Sequence, residues 1–87
     1  MTARCPSVLV VDDLPDAAES LATLLDLYGF PARAATGGAD ALAACAAELP
    51  DVVVLDLLMP GVDGCAVARR LREVYGAERP AVVALTG

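Results

Sequence analysis

At 87 residues the chain is at most one domain, near the size at which a single core gives only modest stability. A hydrophobic fraction of 57% argues against disorder, and no apolar run approaches the roughly 20 residues of a membrane span. Twelve acidic residues stand against six basic ones, all Arg, with no Lys or His, so the net charge of -6 disfavours nucleic acid or an anionic membrane as a direct partner.

In chain order, "SVLVVDD" reads as a first strand over about Ser7 to Val11. It is apolar without alternation, hence buried on both faces, and Asp12 and Asp13 follow it. From Pro15 the period changes: Leu21, Leu24, Leu25 and Tyr28 fall at i, i+3, i+4 and i+7, a helical stripe that Gly29 stops. "FPARAAT" is a weak strand, and Pro31, which lacks a ladder donor, points to a sheet edge. Gly37 and Gly38 lead into the Ala-rich helix "ADALAACAAEL", which Pro50 ends. "DVVVLD" is the clearest strand. The turn "LLMPGVDG" leads to a third helix from about Cys65 to Tyr75, with Val67, Leu71 and Val74 inward and Arg69, Arg70 and Arg72 outward. "PAVVALTG" is a fourth strand.

The order β-α-β-α-β-α-β with short connections implies a parallel sheet with right-handed crossovers, the α/β class, doubly wound in three α/β/α layers. Ligands of such sheets gather at the carboxyl ends of the strands. Asp12 and Asp13 end the first strand, Asp56 the third and Thr86 the fourth, so all four belong on one edge. Cys5, Cys45 and Cys65 are odd in number and widely spaced, and no signal peptide precedes them. They read as reduced, mostly buried small hydrophobes of a cytoplasmic protein.

Crowded carboxylates repel: two unit charges about 4 Å apart at an effective dielectric of about 20 cost on the order of 4 kcal/mol. Either one carboxyl is protonated or a cation lies between them, and without Lys or His a divalent metal such as Mg²⁺ is the economical answer. A carboxylate beside such a metal is also a nucleophile toward phosphorus. Taken singly, each residue has a plainer reading. Asp12 or Asp13 could cap a helix, Asp56 could open a turn and Thr86 could be an ordinary β-former. It is the joint placement that favours a site.

"VLVVDD", "VVVLDLLMPGVDG" and "VVALTG", in that order and spacing from about Ser7 to Gly87, resemble the receiver domain of bacterial two-component response regulators. The resemblance implies a flavodoxin-like, CheY-like fold with strand order 2-1-3-4. It implies that Asp56 is the phosphoacceptor, taking a phosphoryl group from a sensor histidine kinase or a histidine phosphotransfer protein. Mg²⁺ would be held by Asp12, Asp13, Asp56 and the backbone carbonyl of Leu58, Asp13 directly and Asp12 largely through water. Thr86 would be the switch hydroxyl, and Pro60, Gly61 and Gly64 would shape the loop beside Asp56. Leu58 would also screen attacking water and prolong the phosphoryl state.

In the family the fold continues through another helix, a fifth strand and a fifth helix, and a Lys ending that fifth strand pairs with the phosphoryl group. This chain contains no Lys. It is therefore expected to be the N-terminal two thirds to three quarters of a receiver, with any output domain after it. The fourth strand would be a bare apolar edge, inviting homodimer or edge-strand association. Two rivals remain: a receiver-like interaction module that takes no phosphate, and a Mg²⁺-dependent phosphatase with an Asp nucleophile. The phosphatase class wants a second Asp where this chain has Leu58.

Overall fold

The computed structural model describes residues 5–56, 64–76 and 78–85. Four strands, β1 (Val8–Val11), β2 (Ala32–Ala35), β3 (Val52–Asp56) and β4 (Ala81–Leu85), alternate with three helices, α1 (Pro15–Leu27), α2 (Gly38–Ala47) and α3 (Gly64–Tyr75). All strand pairs are parallel and the sheet order is β2-β1-β3-β4. The pattern read from the chain is the one observed, with β2 on an edge where Pro31 placed it.

The sheet has two dissimilar faces. Leu9, Val11, Val53 and Leu55 point to one side, where Ala41 and Cys45 of α2 and Val67 and Leu71 of α3 close over them. Val8 and Val10 point to the other, under Ala18 and Ala22 of α1. All four residues of β1 are buried, as the unbroken apolar run requires. Among the described residues, little covers β4: Val83 is 46% and Leu85 43% exposed. The expected bare apolar edge is present.

The face that α1 buries differs from the Leu stripe. Ala18 and Ala22 are buried with Leu21 and Leu25 beside them, while Leu24, Leu27 and Tyr28 are exposed. Small Ala side chains let the helix backbone approach β1 and β2 closely, and the inward row is set by that approach rather than by the largest residues. Neither Asp12 nor Asp13 is the helix cap: Leu14 holds that position without a side-chain bond, and Pro15 begins the helix. At the other end Gly29, at φ +94°, donates to Asp26 O and Phe30 donates to Leu25 O, both at 3.0 Å. This Schellman closure brings Phe30 and Leu25 together against the α1-side core.

On α3, Val67 and Leu71 are buried but Val74 is 51% exposed; Tyr75 takes the inward place. The inward row is therefore i, i+4, i+8 and not the i+7 position assumed from sequence. Of the three cysteines, none is in a disulfide and only Cys45 is buried; Cys5 and Cys65 are exposed, so the expectation of mostly buried thiols fails for two of them. Burial pushes the Cys45 thiol up, with nearby Arg33 opposing the shift.

Candidate functional site

The site follows from register. Val11 of β1 lies level with Leu55 of β3, so Asp12 and Asp56 occupy the next step on neighbouring parallel strands, whose spacing is about 4.8 Å. Asp12 remains tied to the sheet, its N–H donating to Ala35 O at 3.1 Å. Its Oδ1 accepts the N–H of Leu14 at 3.1 Å, an Asx-type turn that carries the chain into α1. Asp13 follows, and all three acids are half-buried. On the other side of Asp56 the register continues to Leu85, the residue before Thr86.

The sheet thus brings Asp12, Asp13 and Asp56 to one edge. Among the described residues no group of three or more acidic, Cys or His side chains converges closely enough to enclose a metal ion. The donor chemistry still suits a hard cation, because it is carboxylate oxygen, and Mg²⁺ commonly takes only one or two carboxylates plus waters. Thr86, Leu58, Pro60 and Gly61 lie outside the described residues. Gly64 is buried and opens α3.

The opposite end of the sheet carries polar contacts that sequence reading missed. Asp51 Oδ2 accepts the N–H of Ser7 at 2.8 Å and its hydroxyl at 3.2 Å, and Asp51 Oδ1 accepts from Arg79 at 2.6 Å. Beside them lies a cleft of about 500 Å³ lined by Cys5, Ser7, Glu48 and Arg79 among others. In the sequence Asp51 stands only as the first residue of the strand "DVVVLD", with no partner assigned to its side chain. The signal was positional: in a parallel sheet, polar residues just ahead of neighbouring strands must meet. Arg33 was likewise unremarked; from β2 it donates to the carbonyls of Ala44 and Glu48 at 3.4 and 2.6 Å, serving the C-terminal end of α2.

Residues 8–87 fit the response regulator receiver domain. The chain belongs to that family. Receiver domains are the signalling domains of two-component systems, in which response regulators work with sensor kinases. The fold of this receiver domain is flavodoxin-like. It is 46% identical over 67 residues to the transcriptional regulatory protein PrrA of Mycobacterium tuberculosis, a match covering 77% of this chain and 29% of PrrA. The N-terminal domain of a response regulator receiver protein from Methanoculleus marisnigri superposes with a TM-score of 0.83 at 32% identity, covering 93% of this chain and 66% of that one. The response regulator TrrA of Thermotoga maritima, solved in complex with Mg²⁺ and BeF, superposes with a TM-score of 0.71 at 36% identity, covering 80% and 61% respectively. The chain thus spans less than a third of PrrA and about two thirds of the receiver structure. Among the described residues no helix is long and apolar enough to cross a membrane.

Proposed function

We propose that this receiver domain accepts a phosphoryl group on Asp56 from the phosphohistidine of a sensor kinase or histidine phosphotransfer protein in the cytoplasm. A carboxylate oxygen of Asp56 attacks phosphorus, the phosphorus–nitrogen bond breaks, and the imidazole leaves with the electron pair and takes up a proton. The observation that carries this reading is the position of Asp56 at the carboxyl end of β3, one register step from the last β1–β3 pair and beside Asp12.

Asp12, Asp13 and Asp56, with the carbonyl of Leu58, are the residues that would hold Mg²⁺. When bound, it neutralises charge on the transferring group. Support comes from the oxygen-only donor set and from TrrA, whose structure carries Mg²⁺ and BeF. Asp12, whose Oδ1 already accepts from Leu14, is suited to act through water. The strand ends act as rigid mounts, so the nucleophile needs little reorganisation before attack. A phosphoryl group adds roughly 1.5 to 2 negative charges at this rim, and Thr86, next after Leu85, is the hydroxyl that would answer it.

The test is Mg²⁺ titration followed by labelling with a small phosphodonor, in the parent and in Asp56→Asn. Mg²⁺-dependent labelling of the parent alone is expected. Equal labelling of both removes Asp56 from the role, and no Asp56-dependent labelling in the complete protein favours the silent interaction module. Phosphomonoester turnover dependent on Asp56 would instead point to the phosphatase. Asparagine at Leu58 should speed loss of label; equal decay would refute the screening role.

A further inference from the structure

Asp51, immediately before β3, joins the starts of three strands. Toward β1 its carboxylate accepts both the N–H and the hydroxyl of Ser7, and its own N–H donates to Ser7 O at 3.0 Å and to Ser7 Oγ at 3.1 Å. Toward β4 its carbonyl accepts the N–H of Ala81 at 3.0 Å and its carboxylate accepts from Arg79. The strands joined here are β1, β3 and β4. They are the three whose far ends carry Asp12, Asp56 and the residue before Thr86. Strand β2, which brings no acid to the edge, makes none of these contacts.

We propose that Asp51 is a positioning residue for the acidic edge: by tying Ser7 and Arg79 at the starts of β1 and β4 to β3, it sets the level at which Asp12 and Asp56 emerge. This rests on the reading of that edge as the phosphoacceptor site. The apolar pairs along β1 and β3 are nearly interchangeable, Val facing Val or Leu at every step, so packing alone discriminates weakly among small sliding displacements of one strand along the other. A side chain with directional bonds to both neighbours removes that freedom. Because β3 is a stiff run of only five residues, an offset at its start is delivered to Asp56 at its end.

The test compares the parent with Asp51→Ala, Ser7→Ala and Arg79→Ala. Three measurements are made well below the melting temperature: backbone amide resonances of Asp12 and Asp56 without metal, Mg²⁺ affinity, and the rate of Asp56 labelling by a small phosphodonor. Asp51→Ala is expected to shift both amide resonances. It should weaken Mg²⁺ affinity and slow labelling by about tenfold, the lower range for residues that orient metal ligands. Ser7→Ala, which removes the hydroxyl's bonds but keeps the N–H bond to Asp51 Oδ2, and Arg79→Ala, which removes the side-chain tie toward β4, should show smaller losses of the same kind. A folded Asp51→Ala with a lower Tm but parent-like resonances, affinity and labelling would overturn the proposal, leaving Asp51 a purely stabilising contact. Should Asp51→Ala not fold, parent-like behaviour of both milder variants overturns it equally. A parent that takes no label and binds no Mg²⁺ defeats the phosphoacceptor reading and this inference together. A labelled parent matched by its variants defeats this inference alone.

Discussion

Strands β1 and β4 are close to interchangeable as text: "VLVV" and "AVVAL" are both short, uncharged and apolar. In the molecule they have opposite surroundings. β1 has a strand on each side and helices over both faces, and its four side chains are buried; β4 is an edge, and four of its five residues are exposed. Burial is thus a property of the neighbours, and an apolar run reports only that a strand can be buried.

The sharpest way to test that contrast is to remove volume from the covered strand. Leu9→Ala, at a site with no exposure and among the α2- and α3-side core residues, should cost about 2 to 5 kcal/mol in denaturant unfolding. A loss below about 1 kcal/mol would mean β1 is less tightly held than its burial indicates. A smaller effect is expected from crowding the same strand. Ala18→Leu pushes α1 off β1 and should destabilise by about 1 to 3 kcal/mol, measured by the same unfolding. Least in energy, Val83→Lys on β4 should change monomer stability by no more than about 0.5 kcal/mol. It should, however, reduce concentration-dependent association seen by sedimentation, because charge on an open edge blocks strand addition. A parent that stays monomeric and unfolds cooperatively at every concentration would remove association from the account.

What was legible in the chain was whatever has a local cause. The β/α alternation, the Gly29 stop and the edge position implied by Pro31 each rest on backbone chemistry of one or two residues, and each is found. The inward face of α1 was not legible, because Leu24 and Tyr28 outweigh Ala18 and Ala22 in any hydrophobicity pattern while close approach to a sheet favours the small pair. Val74 failed for a related reason: two candidate rows share Val67 and Leu71, and only the packed neighbours choose between 74 and 75. The gathering of Asp12, Asp13 and Asp56 at one edge of the sheet was legible because topology gathers strand ends. The same logic applied to strand starts would have found Ser7, Asp51 and Arg79, whose meeting depends on three segments far apart in the chain.

The two rims of the sheet also differ in what they permit next. β2 is four residues long, follows Pro31 and carries Arg33, whose guanidinium is engaged with the end of α2. β4 carries no charge and no Pro. A lattice unit with two sticky sides polymerises, whereas a unit with one can only find a mate and stop. Pairing β4 to β4 would leave a β2 rim, preceded by Pro31, at each outer margin of the joined sheet.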